Sequence, residues 1–280
     1  MGNIDWDKLN KTFSVTMNFE NVLKQEMNNN PSRRGYDDTY SYKGIGYVPR
    51  VSNIIKICTD QTNLIDWAAR IGKNKMEMYR DNALDVGSTV HKAIEEYLNG
   101  HEDYTYIEAL ANEVFNDPKL VEQCITAFNN FIHWEKELAS LGYQIYSIAN
   151  EKEVICPLYG GTIDWIAEII DPDGISKKYI IDFKTSKGIS SSYLLQTAAY
   201  RLAWNWLDYY YNGGNNYIHG IGIIRLDKYS KLISDYLFTD NYELLDRLEY
   251  DVRSMINWFY CNSDAINILR TMQARRDFYE

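Results

Sequence analysis

The sequence predicts an α/β protein with a helical N-terminal region. Three observations support this class: apolar residues recur at helical spacing in the first half of the chain, β-prone runs bounded by turn residues begin near residue 144, and helical spacing returns between those runs. An order of helices, three strands, helix, two strands and helix is typical of an α/β core. The 280 residues show no repeat and no low-complexity linker, so we predict one domain over residues 46–280 behind a polar, extended arm of residues 1–45.

The predicted helical part covers residues 46–142. Two short helices are expected over 63–71 and 73–82, and a stronger helix is expected after Gly87. Four apolar side chains recur at spacings of three and four in that stronger helix: Val90, Ala93, Ile94 and Tyr97. A further long helix is predicted over 119–141, because its apolar side chains again share one side and a glycine follows.

Residues 143–240 are predicted to form the sheet. Asp171-Pro172-Asp173-Gly174 is a turn sequence that closes a hairpin between the second and third strands. A helix is expected over 191–209, and a closing helix over 241–262 begins the C-terminal part of residues 241–280. Five strands are expected, over 144–156, 159–170, 178–183, 217–226 and 232–238.

Composition excludes several classes of function. The chain holds 39 acidic and 29 basic side chains, a formal charge of −10, which argues against a protein that coats DNA without sequence preference. No window approaches the 18 or so apolar residues of a membrane span, and the first residues lack the apolar core of a signal peptide. We therefore expect a cytoplasmic protein with no membrane contact. No zinc-type or iron–sulfur-type C-x2-C spacing occurs among the four cysteines, Cys58, Cys124, Cys156 and Cys261.

Two aspartates and a lysine stand out in the predicted hairpin. Asp164 lies within an apolar strand, TIDWIAEI, and Asp182 and Lys184 lie at the end of the next, IIDFKT. Because side chains alternate along a strand, Asp182 and Lys184 share one face, and hairpin symmetry makes Asp164 and Asp182 cross-strand neighbours. Two carboxylates this close favour a divalent cation such as Mg²⁺, beside which Lys184 could stabilise charge on a phosphate. The alternative is a plain charge pair at a strand end, with Asp164 satisfied by local hydrogen bonds.

Two helices supply further candidates. Gln196 and Tyr200 are four residues apart on the helix that follows the D-x-K strand, so they share one face. His91 lies in the stripe GSTVHKAIEEY of the earlier helix. Each of these has a structural alternative, since a Gln-Tyr pair is common on protein surfaces and a single helical histidine is commonly part of the packing.

Four short motifs carry a family resemblance. They are G-x-x-x-H over Gly87–His91, G-T-I-D over Gly161–Asp164, D-F-K-T over Asp182–Thr185 and Q-x-x-x-Y over Gln196–Tyr200. In this order they resemble the RecB-type nucleases of the PD-(D/E)XK superfamily, and most of all the branch of phage-encoded exonucleases that includes the mitochondrial genome maintenance exonuclease. The resemblance spans residues 46–226. It implies a restriction-endonuclease-like core, which is a central mixed β-sheet flanked by helices.

The resemblance also implies roles for single residues. Mg²⁺ or Mn²⁺ would be bound by His91, Asp164, Asp182 and the backbone carbonyl of Phe183. Lys184 would be the catalytic lysine, with Gln196 and Tyr200 positioning it or the DNA backbone, so the implied catalytic set is Asp164, Asp182, Lys184, Gln196 and Tyr200. Glu151 matches a recurrent acidic position, with Glu153 as its competitor. Substrate-binding residues are expected at Glu151, Thr185, Arg50, Lys187 and Arg225. Some relatives bind an iron–sulfur cluster through four cysteines, but the spacing here differs, so no cluster is expected.

The expected function is that of a metal-dependent DNA exonuclease. It would hydrolyse phosphodiester bonds to leave 5′ phosphates, on single-stranded or end-bearing DNA, in phage recombination, replication or DNA degradation. Its partners would be DNA and phage recombination or replication proteins, in the cytoplasm of a bacterial host. Two alternatives stay open: a catalytically inactive DNA-binding or assembly module of the same fold, and a metal-dependent hydrolase that acts on another substrate. The polarity of cleavage is open as well.

Overall fold

The computed structural model describes residues 39–42, 46–59, 62–101, 105–230 and 234–279, with backbone only at 46, 63, 64, 234 and 263–279. The described residues form two compact units. The first contains those up to residue 59 together with 155–161 and 242–279, and the second contains 62–154 and 162–241. Most of the predicted arm lies outside the described residues, and the single domain over 46–280 stays a prediction.

The first unit is built on a short hairpin and two helices. Strands β1 (Thr39–Tyr42) and β2 (Gly46–Pro49) pair antiparallel, so residues 46–49 form a strand where the sequence predicts the start of the helical part. Helix α1 (Val51–Cys58) follows and packs against the last helix of the chain, Tyr242–Tyr279. Arg50 forms a parallel bridge with Gly160. A β-carbon at Gly160 would lie 2.6 Å from a ring carbon of Tyr40, so only glycine fits at this position without a shift of the ring.

The second unit contains five helices. They are α2 (Thr62–Ile71), α3 (Lys73–Leu98), α4 (Tyr106–Val114), α5 (Pro118–Ser140) and α6 (Ser191–Asn212), which makes the last helix of the chain α7. The start of α5 follows from the sequence, because Pro118 suits the first helical position and the Asp117 carboxylate accepts a hydrogen bond from the N–H of Lys119. None of the described helices combines the length and apolar character that a membrane crossing needs.

Helix α3 corrects one expectation from the sequence. The short helix over 73–82 and the helix after Gly87 are one continuous helix of 26 residues. A glycine inside a helix costs only about 1 kcal/mol, which packing can offset. At Gly87 a β-carbon would lie 3.5 Å from Oγ1 of Thr185, an ordinary van der Waals distance, so a larger residue would fit there too. Gly87 therefore lies within a continuous helix and does not break it.

The sheet has the predicted number of strands, and they are adjacent in chain order. They are β3 (Gln144–Ile155), β4 (Gly160–Ile170), β5 (Ser176–Lys184), β6 (Gly220–Leu226) and β7 (Ser234–Thr239). Strands β4 and β5 form the expected antiparallel hairpin, β6 returns parallel to β5 after α6, and β7 is antiparallel to β6. The predicted α/β class, with a mixed sheet flanked by helices and a helical region, is confirmed.

An aromatic core fixes the strand that carries the D-x-K motif. Phe183 is 2% exposed and contacts Phe131 and Trp165, with ring centroids 5.4 and 6.0 Å apart. Because side chains alternate, Asp182 and Lys184 lie on the opposite face of β5 from this core. The packing of one ring therefore holds the backbone from which the charged groups project.

Candidate active site

The hairpin of β4 and β5 brings the two predicted aspartates together. Trp165 lies opposite Ile181 in the ladder, and one step further in this register places Asp164 opposite Asp182. The carboxylate of Asp164 accepts a hydrogen bond from the N–H of Phe183 at 2.8 Å. This contact ties Asp164 to the strand that carries Asp182, as hairpin symmetry predicts.

Both ring nitrogens of His91, on α3, lie close to groups of the β4–β5 hairpin. Its Nε2 lies 3.0 Å from the carbonyl oxygen of Phe183, and its Nδ1 lies 3.6 Å from Oδ2 of Asp164. A carbonyl oxygen only accepts hydrogen bonds, so Nε2 carries a hydrogen and donates it. In the neutral ring Nδ1 is then an acceptor that faces a carboxylate oxygen. Two acceptors that face each other repel, and a proton or a cation between them would relieve this repulsion.

Glu151 of β3 completes a group of three ligands. Ligand atoms of His91, Glu151 and Asp164 all lie within 4.8 Å of one another, and no other group of histidine, cysteine or acidic residues in the described ranges is as close. The approach of β3 to α3 has a visible cause, because the Asn150 side chain donates a hydrogen bond to Oδ1 of Asn99 at the end of α3. Sequence reasoning placed Glu151 with the substrate-binding residues, whereas the structure places it beside two predicted metal ligands.

The backbone of Glu151 is unusual. Its φ of 42° makes it the one non-glycine residue with positive φ among those described, and such conformations are typical of sites where surrounding contacts outweigh local strain. Partial burial raises the pKa of Glu151 to about 6, and the carboxylates of Asp164 and Glu95 raise it as well, whereas His91 lowers it. Desolvation is the larger of the two main causes, and the nearby carboxylate of Asp164 adds to it.

Asp182 and Lys184 form a buried pair next to this group. Lys184 Nζ lies 2.8 Å from Oδ1 and 2.6 Å from Oδ2 of Asp182, but only the contact with Oδ1 has hydrogen-bond geometry. Asp182 is 2% exposed and does not belong to the group within 4.8 Å. It is still close enough that the charges of Asp164 and His91 act on it. Asp182 was predicted as a metal ligand, but in this structure its carboxylate binds the ammonium of Lys184.

The charges of this pair follow from their surroundings. Burial raises the pKa of Asp182, although the ammonium of Lys184 opposes this. Burial disfavours the charged form of Lys184, but the carboxylates of Asp182 and Asp164 outweigh it and raise the pKa of the lysine. The lysine therefore carries its positive charge among several acidic groups. That charge is available for stabilising an anion at the site.

Helix α6 brings one side chain to Lys184 and pairs two others with each other. Gln196 Nε2 donates a hydrogen bond to the Tyr200 hydroxyl at 2.8 Å, and Tyr200 is 4% exposed. The ring of Tyr193 lies under Lys184, with the ammonium nitrogen 5.0 Å from the ring centroid. Sequence reasoning missed Tyr193, although its position three residues before Gln196 places it on the same helix face.

The predicted substrate-binding residues occupy different surroundings. Thr185 follows β5 directly and faces Gly87, and Lys187 is exposed two residues later. Arg225 is buried, and its guanidinium binds Asp235 at 2.7 Å and Asp227 at 3.0 Å. Arg50 belongs to the first unit, where its guanidinium lies 5.3 Å from the ring centroid of Tyr40. Their roles in substrate binding stay predictions.

The donor set fits a divalent cation. One imidazole nitrogen and two carboxylates converge, and such mixed ligands suit Mn²⁺, with the carboxylates also suiting Mg²⁺. Asp182 lies beside this set, but in this structure both of its carboxylate oxygens face the ammonium of Lys184. No protein-family model matches the chain, and no curated protein matches it either. The family resemblance therefore rests on the motifs and the geometry alone.

Proposed function

We propose that the protein is a divalent-metal-dependent deoxyribonuclease with a restriction-endonuclease-like core. It hydrolyses phosphodiester bonds and leaves 5′ phosphates. The observation that carries this proposal is the convergence of separate chain segments: His91, Glu151 and Asp164 bring ligand atoms within 4.8 Å of one another, beside the buried Asp182–Lys184 pair. Acidic groups and an imidazole around a lysine suit a reaction in which negative charge builds up on phosphate oxygens.

The metal would be held by His91, Glu151 and Asp164, with Asp182 joining once a cation competes with Lys184 for its oxygens. When bound, Mg²⁺ or Mn²⁺ would polarise a phosphoryl oxygen and make a water molecule more acidic. The Nε2–H of His91 donates to the carbonyl of Phe183, which leaves Nδ1 as the nitrogen that faces Asp164. A carbonyl in this position fixes the tautomer of a ligand histidine. This makes Phe183 an orienting partner of His91, where the family resemblance implies a direct ligand.

Lys184 supplies the positive charge of the reaction. Its ammonium now donates to Asp182, and the carboxylates around it keep it charged at neutral pH despite burial by raising its pKa. With a phosphodiester bound, the same ammonium is free to donate to a non-bridging oxygen and to stabilise the charge that develops there. The ring of Tyr193, 5.0 Å from the ammonium, restricts the directions that the lysine tip can take.

The substrate in this proposal is single-stranded or end-bearing DNA, attacked from its ends. The setting would be phage recombination, replication or DNA degradation in the cytoplasm of a bacterial host. This part depends on the motif resemblance to phage exonucleases, whereas the metal and lysine chemistry depends on the contacts within the second unit.

The test is cleavage of 5′- and 3′-labelled linear single-stranded DNA beside a circular single strand, in Mg²⁺ or Mn²⁺. Wild type is compared with Lys184→Ala and with Lys178→Ala, a matched control near the opposite end of β5. Loss of linear but not circular DNA, abolished only by Lys184→Ala, is the expected result, and the label lost first gives the polarity. Cutting of the circle would make the enzyme an endonuclease. A folded wild type that binds DNA but cuts none of these substrates would favour the inactive binding module.

A further inference from the structure

The turn after β6 contains a buried lysine. Lys228 is 9% exposed, and the described part of the chain provides no salt bridge or hydrogen bond to its ammonium. Burial lowers the pKa of Lys228; a thiolate at Cys124 would raise it, and the positive charge of Lys187 lowers it. The ammonium has no anionic partner among the described residues, and its partial desolvation disfavours an uncompensated charge, so the position favours binding of a negative group from outside.

The turn that holds Lys228 is fixed by hydrogen bonds from two directions. The side-chain amide of Asn130 on α5 donates to the carbonyl oxygens of Asp227 and Ser230, at 2.7 and 2.9 Å. The carboxylate of Asp227 accepts from the backbone N–H groups of Tyr229 and Ser230, at 2.7 and 2.9 Å. Because these contacts order the backbone before any ligand arrives, a ligand here would be bound with little further loss of entropy.

This turn lies at the same edge of the sheet as the candidate active site. In the parallel pair of β5 and β6, Lys184 lies opposite Arg225, and Lys228 follows only three residues later, at most about 10 Å of chain. Nη1 of Arg225 is 3.5 Å from the carbonyl of Ser186, which links the two loops that leave these strands. Ligands of such sheets commonly bind outside the carboxyl ends of parallel strands.

The residue next to Lys228 adds an aromatic surface. Tyr229 is 64% exposed, and the ammonium of Lys228 lies 5.8 Å from the centroid of its ring. A cation beside an exposed aromatic ring matches one nucleotide of a single strand, whose phosphate needs a positive charge and whose unpaired base needs a stacking face. A base in a duplex is stacked already and does not offer that face.

We propose that Lys228 and Tyr229 form a single-strand subsite beside the scissile position, with Lys228 binding a phosphate that is not cut and Tyr229 stacking on a base. Lys187 adds a second positive charge to the phosphate. The subsite rests on the proposed nuclease function and narrows its substrate to single-stranded nucleic acid at this edge.

The test is binding of the full chain to a 5′-fluorescein-labelled single-stranded oligothymidylate, followed by fluorescence anisotropy in EDTA at several KCl concentrations. Lys228→Gln is expected to reduce the slope of log affinity against log salt by about 0.7, the value for one phosphate contact. Tyr229→Ala is expected to weaken binding about tenfold without changing that slope. The matched controls are Lys178→Gln, near the opposite end of β5, and Tyr211→Ala, a tyrosine that is 70% exposed at the end of α6. Both controls should bind as wild type does.

The outcomes separate this subsite from the nuclease proposal. If wild type cleaves DNA but Lys228→Gln and Tyr229→Ala bind as tightly as wild type with the same slope, the subsite is wrong and the nuclease proposal stands. If the variants show the expected binding pattern and wild type cuts nothing in Mn²⁺, the subsite stands and the nuclease proposal is wrong. A wild type that binds no oligothymidylate overturns the subsite. Circular dichroism shows whether Lys228→Gln is folded. If it is not, Tyr229→Ala, which changes an exposed side chain, tests the subsite alone: wild-type affinity in this variant would overturn it.

Discussion

Strand β5 carries a lysine–aspartate contact near each of its ends, and the two contacts differ in their surroundings. Lys177 meets Asp240 with 39% and 36% of the two side chains exposed, whereas Lys184 meets Asp182 with 19% and 3% exposed. An exposed pair contributes only about 0–1 kcal/mol to stability. In a buried pair, removal of one partner leaves an uncompensated charge in the interior. The same two residue types on one strand therefore have different consequences because of what surrounds them.

The neighbours of the two pairs differ in the same way. Near Lys177, burial lowers the pKa of His219, and the charges of Lys178 and Arg201 lower it further. Around Lys184 the neighbours are acidic, and its pKa rises despite burial. The amino end of β5 is thus an exposed edge of mixed charge, with Asp240 and Asp171 near its basic groups, and the carboxyl end is a buried acidic site with one lysine. Only the second arrangement calls for a cation.

The largest contrast between the ends is expected in DNA cleavage. Lys184→Ala should reduce kcat/KM by two to three orders of magnitude, because a charge that stabilises the transition state is commonly worth that much. Lys177→Ala should stay within about twofold of wild type. Steady-state cleavage of labelled DNA measures both, with circular dichroism to show that each variant is folded. Equal activities would mean that the buried pair has no catalytic part.

Mn²⁺ should stabilise the folded protein through the carboxyl end of the β4–β5 hairpin site and not through the residues near its turn. At a Mn²⁺ concentration of 100 times its Kd, binding to the folded protein adds about 2.7 kcal/mol and raises Tm by several degrees. Asp164→Asn should lose most of this gain. Glu168→Gln is the matched control, since Glu168 lies on the same strand but accepts a hydrogen bond from Ser176 near the hairpin turn. Thermal unfolding with and without Mn²⁺ measures the gain, and an unchanged gain in Asp164→Asn would contradict the assigned site.

The pH dependence of Glu151 gives a smaller effect with a defined sign. Its pKa is raised from 4.5 to about 6 in the folded protein, so folding favours the protonated form. The associated stability is present below about pH 4.5 and is lost as the pH rises through about 6. In EDTA, Glu151→Gln should therefore raise Tm at pH 8 but not at pH 4. The gain in the free energy of unfolding at pH 8 should be less than about 1 kcal/mol because the side chain is exposed.

The control for this measurement is Glu153→Gln, two residues along β3. Glu153 lies outside the group of three ligands, and a gain at pH 8 in Glu153→Gln equal to that in Glu151→Gln would contradict the assignment of the effect to Glu151. A Tm gain at pH 4 equal to that at pH 8 would show that the substitution acts through packing, and that charge repulsion has no part.

The smallest effect is expected at the exposed pair. Asp240→Asn should change the free energy of unfolding by less than about 0.5 kcal/mol, as is common for surface substitutions. Urea unfolding measures this change. A loss above about 1.5 kcal/mol would mean that the amino end of β5 depends on its ion pair, and the comparison of the two ends would fail.

Sequence patterns predicted the elements that depend on local periodicity. The hairpin follows from its turn residues, and the neighbourhood of Asp164 and Asp182 follows from equal distances to that turn. The continuous helix α3 was not predicted, because a glycine is unfavourable inside a helix and only the tertiary structure shows that the helix passes through Gly87.

Side-chain partnerships from distant segments were beyond sequence reasoning. Arg225 was expected as a substrate-binding residue; the structure shows it buried and paired with Asp227 and with Asp235 of the next strand, contacts that no sequence pattern indicated. Glu151 lies beside His91 and Asp164 with a positive φ, and the sequence gives no indication of this backbone conformation. Lys228 and Tyr229 drew no attention, because the lysine is distinguished only by its burial.

The most direct test of the central claim is the rate of cleavage of an end-labelled single-stranded oligonucleotide as Mn²⁺ is titrated. Wild type, Asp164→Asn and the control Glu168→Gln are compared. The account predicts that wild type and Glu168→Gln reach the same maximal rate at the same Mn²⁺ concentration, while Asp164→Asn cuts nothing at any concentration. Cleavage by Asp164→Asn at the wild-type rate, or full activity of wild type in EDTA, would contradict it.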